Sequence, residues 1–241
     1  MLTVVTSFGP EGYELYGKKF VETFKQFWPP DVGLICAWEG PCPDTALNGF
    51  DLLETEPFKS FLERHKNDPV INGTKEALPA VWAAKARRIG YSFRHDAYKF
   101  SRKVFAVAAA TKYLEGGRLF WIDADVTTNR PVPKQLLHRL LPDTISLCYL
   151  KRRDYHSELG FVGYNLHRKE ARGFIAAYQN QYASDAFLKD QHWDDCNQFD
   201  YLVSKLSPTT KPILHARNMQ PFDDSILGDY MTHNKGRRKA A

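Results

Sequence analysis

The run Arg118-Leu119-Phe120-Trp121-Ile122-Asp123-Ala124-Asp125-Val126 decides how this chain folds. Its apolar part is of strand length and too short for an independent helix, and an unbroken apolar run marks a strand buried on both faces of a sheet. Gly116-Gly117 stand before it, and Pro131 and Pro133 bound the loop that follows. This is a central strand, and it stops abruptly at two carboxylates. Open α/β sheets bind ligands beyond the carboxyl ends of their strands, so Asp123 and Asp125 border the expected crevice. Two carboxylates beside a buried strand are costly unless a cation neutralises them. Mg²⁺ and Mn²⁺ take oxygen ligands and leave positions for phosphate oxygens, so the pair suits a metal ion and a diphosphate. Asp-x-Asp alone also forms turns and helix caps; the strand in front of it is what favours the cation.

Upstream, Ser92 to Leu114 carries Phe93, Ala97, Phe100, Val104, Ala108, Thr111 and Leu114 in steps of three and four, which predicts a long helix ended by Gly116-Gly117. Nearer the start, Thr3 to Thr6 is a short β-branched run. Tyr13, Tyr16, Phe20, Phe24 and Phe27 then give a helix over 13–27 that Trp-Pro-Pro stops. Val32 to Trp38 is the next buried strand, so the chain opens β-α-β with parallel strands. Residues 41–79 are rich in Pro, Asn, Asp and Gly and read as loop and cover, with one helix at Phe58 to Lys66.

Downstream, helices are expected at Lys134 to Leu140, Lys169 to Tyr182 and Asp195 to Leu206, and strands at Ile145 to Leu150 and Gly160 to Leu166. Strands alternate with helices throughout, which defines an α/β, Rossmann-like fold with a central, mostly parallel twisted sheet flanked by helices. A length of 241 residues fits one domain.

Composition is ordinary for a globular protein, at 43% apolar and 25% charged residues. The sequence has no apolar run long enough to span a bilayer and no signal peptide, so a cytoplasmic protein is expected. Cys36, Cys42, Cys148 and Cys196 show no CxxC spacing and read as free thiols. Of the net charge of +5, Lys235, Arg237, Arg238 and Lys239 supply four. A duplex binder spreads its basic residues over a face, whereas this excess is one terminal cluster, so no nucleic-acid partner is expected.

Phe120-Trp121-Ile122-Asp123-Ala124-Asp125-Val126 resembles the DxD strand of glycosyltransferases with the GT-A fold, and the β-α-β opening matches as well. Near the end of the chain, His233-Asn234-Lys235-Gly236-Arg237-Arg238-Lys239 is similar to the His-x-x-Gly-x-x-Lys pattern of the glycogenin-like, retaining galactosyltransferase families. The Pro-Trp that usually follows is missing. The resemblance implies a metal site of Asp123, Asp125 and His233 for Mn²⁺ or Mg²⁺. It implies a nucleoside-diphosphate sugar as donor, UDP first among the bases, with Ala124 against the donor and Gly236 and Lys239 on its diphosphate. The acceptor would be a saccharide or another hydroxyl compound, and the resemblance implies a first half (1–130) that binds the nucleotide donor and a second half (131–241) that binds the acceptor.

Other residues join by position. Thr6-Ser7-Phe8-Gly9, with Tyr13 and Tyr16, resembles the segment that cradles base and ribose in these enzymes; the tyrosines also suit the core stripe of the first helix. Asp96, Lys99 and Lys103 share one face of the predicted long helix, where the lysines could meet phosphates or simply form local ion pairs. Glu158 to Asn165 resembles an acceptor-side segment in which glycines permit close approach. In His192-Trp193-Asp194-Asp195 either carboxylate can cap the next helix, and either can orient the acceptor or take its proton, Asp195 ahead of Asp194. Two other readings are a nucleotidyltransferase, which would carry a basic glycine-rich first loop, and a basic-tailed binding module.

Overall fold

The computed structural model describes residues 1–74, 91–214 and 220–235. Its centre is a seven-stranded sheet in the order β10-β8-β9-β6-β1-β2-β3. In chain order these are β1 (Leu2–Phe8), β2 (Val32–Trp38), β3 (Gly49–Asp51), β6 (Arg118–Ile122), β8 (Leu147–Leu150), β9 (Glu158–Asn165) and β10 (Thr210–Ile213). The strand read as central, β6, is central. It pairs in parallel with β1 and antiparallel with β9, and β9 is the one reversed strand of the sheet. The architecture is therefore α/β and mostly parallel, as the alternation of elements predicts.

Period-two alternation splits β1 and β6 between two cores. Val5, Leu119 and Trp121 face one, with Phe58, Phe61, Phe105, Phe174 and Phe199; Val4, Phe120 and Ile122 face the other, with Phe20, Phe24, Leu136 and Leu137. Each fully buried Leu, Ile or Phe contributes about 1.5–3 kcal/mol of apolar transfer energy, so a strand apolar on both faces is fixed in the middle of the sheet.

The helices cover both faces. After β1 the chain makes one turn, α1 (Pro10–Gly12), then a π turn (Tyr13–Gly17), and continues as α2 (Lys18–Phe27). The first core is covered by α3 (Phe58–His65), α4 (Ala97–Ala110), α6 (Lys169–Ala183) and α7 (Asp195–Leu206); α5 (Lys134–Leu140) lies with α2 on the other side.

Two differences from the sequence reading matter for the site. The long helix begins at Ala97, not Ser92: residues Tyr91–Asp96 form β5, paired antiparallel with β4 (Asn72–Thr74). Asp96 ends that strand and caps α4, its Oδ1 accepting from the Lys99 N–H at 2.8 Å. The second difference is a small antiparallel ribbon of β7 (Val126–Thr128) and β11 (Met231–His233), which brings the end of the chain onto the residues just after Asp125.

Candidate functional site

The carboxyl end of β6 delivers Asp123 and Asp125 to one place by different routes. Asp123 continues the Trp121 face, and its Oδ1 accepts from Trp121 Nε1 at 2.7 Å. Its own N–H donates to Gly160 O at 3.0 Å, which extends the β6–β9 ladder by one bond. Asp125 lies after the turn and is buried, and its backbone carbonyl accepts from Asn234 N at 2.9 Å. The β7–β11 ribbon sets His233 opposite: Nε2 is 2.9 Å from Asp125 Oδ1 and 3.5 Å from Asp123 Oδ2. The three residues expected to hold a metal therefore converge, although His233 is 108 positions from Asp125 in sequence.

A fourth group was not foreseen. Glu158, the first residue of β9, is buried, with Oε1 at 3.7 Å from His233 Nδ1 and Oε2 in contact with the Lys235 ammonium. Asp123, Glu158 and His233 bring ligand atoms within 4.8 Å of one another. Burial alone would raise the Glu158 carboxyl, but Lys235, His233 and Lys103 outweigh it and hold its pKa below the ordinary value. Oxygen donors and one imidazole, packed this closely, fit a hard divalent cation.

Lys103, at the middle of α4, joins this cluster to α7. Its Nζ is 3.0 Å from Asp123 Oδ1 and 2.7 Å from Asp195 Oδ2, and donates to Leu159 O at 2.9 Å. Burial would lower its pKa; the two carboxylates overcome that and raise it well above the usual lysine value. The neighbouring carboxylates at the head of α7 separate cleanly. Asp194 is the helix cap, accepting from Asn197 N at 3.1 Å, and burial beside Asp195 pushes its pKa up to about 6. Asp195 faces Lys103.

Next to Asp123, Ala124 and Asp125 opens a cavity of about 590 Å³. Ser7, Phe8, Lys99 and Lys103, all named from the sequence, line it, and so do Glu39 and Arg102, joined at 2.7 Å on its wall. Thr6 and Tyr13 are placed otherwise. Thr6 is fully buried, and Tyr13 packs on Phe8 with its hydroxyl 3.3 Å from Asp44 Oδ2. Tyr16 takes the cavity position, because the π turn rotates the helix between the two tyrosines. Gly236 and Lys239 lie outside the described residues.

The glycines of β9 serve packing. A Cβ on Gly160 would lie 2.6 Å from His233 Cε1, and one on Gly163 would lie 2.6 Å from Cys148 Sγ. What approaches Gly160 closely is the His233 ring itself. All four cysteines are free. Among the described residues no helix is long and apolar enough to cross a membrane.

No protein-family model and no curated protein matches the sequence. Solved structures do match. Mouse xyloside xylosyltransferase 1 superimposes with a TM-score of 0.52 at 9% identity, over 88% of this chain and 85% of that one. A glycosyltransferase involved in glycosylation of the major capsid of PBCV-1 gives 0.52 at 11% identity, over 98% and 96%. Both cover nearly their whole length, so the fold is that of GT-A-like glycosyltransferases.

Proposed function

We propose that this protein is a metal-dependent glycosyltransferase that moves a sugar from a nucleoside-diphosphate sugar to a hydroxyl acceptor. The observation that carries this reading is the convergence of His233 on Asp123 and Asp125, which line a cavity whose wall also holds Lys99, Arg102 and Lys103. The carboxylates and imidazole would hold Mn²⁺ or Mg²⁺, which when bound neutralises charge on a leaving diphosphate. The cavity volume is in the range of small-molecule sites, and the loop after β1, with Tyr16, would bracket base and ribose, UDP being the first candidate.

In the transfer the bond from the anomeric carbon to the diphosphate oxygen breaks, and a bond from that carbon to the acceptor oxygen forms. The acceptor proton leaves to the departing phosphate if configuration is retained. If it is inverted, the proton goes to a carboxylate, and of Asp194 and Asp195 the latter is the one linked to the β6 end, through Lys103. Lys103 ties Asp195 to Asp123 and so couples the two sides of the reaction centre. Residues 1–130 would then bind the donor. Residues 131–241 would carry the acceptor side, with Gly236 and Lys239 on the diphosphate in one domain.

The loop from Ser7 to Gly12 has no Lys or Arg, which disfavours a nucleotidyltransferase. The near-neutral body of the chain disfavours a nucleic-acid partner. A screen of nucleotide sugars for Mn²⁺-dependent hydrolysis tests the proposal. Release of a nucleoside diphosphate from one donor class supports it, and no release from any donor, with or without acceptor sugars, refutes it.

A further inference from the structure

Glu158 lies beside the metal-ligand candidates because β9 is reversed: its first residue sits next to the carboxyl end of β6. Both of its oxygens are already engaged. Oε1 accepts the Gly160 N–H at 3.0 Å, and Oε2 receives the Lys235 ammonium. Oε1 also faces His233 Nδ1 at 3.7 Å, and that nitrogen is buried with no hydrogen-bond partner among the described residues. The other ring nitrogen, Nε2, faces Asp125 and Asp123.

The imidazole is confined. Gly160 lies against one side, where a Cβ would overlap the ring, and Phe222 packs its ring at 5.3 Å and 65°. His233 is 2% exposed. Its two nitrogens therefore have fixed and different neighbours: an acidic pair on one side and a single buried carboxylate on the other.

We propose that Glu158 is a positioning residue that accepts the Nδ1 proton of His233. With a divalent cation in place of the Nε2–Asp125 hydrogen bond, it would thereby fix the tautomer whose Nε2 lone pair is turned to that site. The inference rests on the reading of those three residues as a metal site. A histidine that ligates a metal through one nitrogen commonly gives the other N–H to a carboxylate, which sets both tautomer and ring orientation. Closing 3.7 Å to hydrogen-bond distance needs a shift of under about 1 Å, and the engaged oxygens of Glu158 favour this role over direct ligation.

Two measurements test it. In the first, Mn²⁺ alone is titrated calorimetrically into the wild-type protein, E158A and E158Q, with thermal melts alongside. E158A should bind Mn²⁺ about 10–100-fold more weakly, the range for losing such a partner, while E158Q, whose amide oxygen still accepts from Nδ1, stays within about threefold. Equal affinity in E158A overturns the inference while leaving the metal site standing. An E158Q loss as large as that of E158A overturns it too, by making Glu158 a ligand. A wild-type protein that binds no Mn²⁺ removes the site and the inference together.

The second measurement needs no variant. Long-range nitrogen–proton correlation spectra of the Mg²⁺-loaded protein report which ring nitrogen of His233 carries the proton. Nδ1 is expected, and a proton on Nε2 overturns the inference.

Discussion

Lys103 Nζ stands 2.7 Å from Asp195 Oδ2, a contact between α4 and α7 in which the same ammonium also reaches Asp123 at 3.0 Å. One partly buried cation thus serves a carboxylate at the end of β6 and another at the head of a helix. Removing it leaves both without their partner. K103M should lose about 3–5 kcal/mol of stability, the scale for breaking a buried pair from one side. That corresponds to a melting temperature lower by roughly 10 °C for a chain of this size. A thermal melt checks this, and a fall of less than about 3 °C would show that the pairing contributes little.

The neighbouring Asp194 should behave in the opposite sense. Its pKa in the fold is about 6, above the unfolded value of roughly 3.9, so the fold favours its protonated form. That preference helps most below the unfolded pKa and is lost as pH rises through about 6. D194N keeps an N-cap acceptor and removes the buried charge. Its stability relative to wild type should therefore climb between pH 4 and pH 7, by roughly 2–3 kcal/mol in total. Urea unfolding across that range reads the difference; a gap that does not change with pH contradicts it. D194N should also retain turnover, whereas D195N should lose it.

Much of this arrangement was legible in the sequence, because its signals are strong and local. An unbroken apolar strand ending in Asp-Ala-Asp reads as a central strand with carboxylates at its edge, and a His-x-x-Gly pattern points to His233. Other parts were hidden by their physics. Phe93 fits a helical period, yet it is 54% exposed and lies in β5; the helix starts at the Asp96 N-cap, a local signal that the apolar period outweighed in the sequence. Tyr13 goes to the core and Tyr16 to the cavity, a division within one π turn that no spacing rule reveals. Glu158 was read as part of an acceptor-side strand. Its place beside His233 depends on β9 running against its neighbours, and one glutamate before a buried run does not encode direction.

The terminal residues beyond Lys235 can be separated from the metal site. Truncation after Lys235 keeps His233 and the β7–β11 ribbon and removes Gly236 and Lys239. Mn²⁺ affinity should be unchanged, while affinity for a nucleoside diphosphate falls about 10–100-fold, as expected for losing charge-assisted hydrogen bonds. Calorimetry with each ligand checks both arms. Unchanged diphosphate affinity would leave the tail without a role in donor binding.

The central claim is that Asp123, Asp125 and His233 hold a divalent cation against a donor diphosphate, and Asp125 is the residue on which to test it. UDP binding should be measured in wild-type protein and in D125A, with Mn²⁺ present and after chelation. The account predicts that Mn²⁺ strengthens wild-type binding at least about tenfold, because a cation held by these residues would neutralise phosphate charge. It predicts that D125A, still folded, loses that enhancement. Wild-type affinity that is the same with and without the metal, or a D125A protein that keeps the full enhancement, would contradict it.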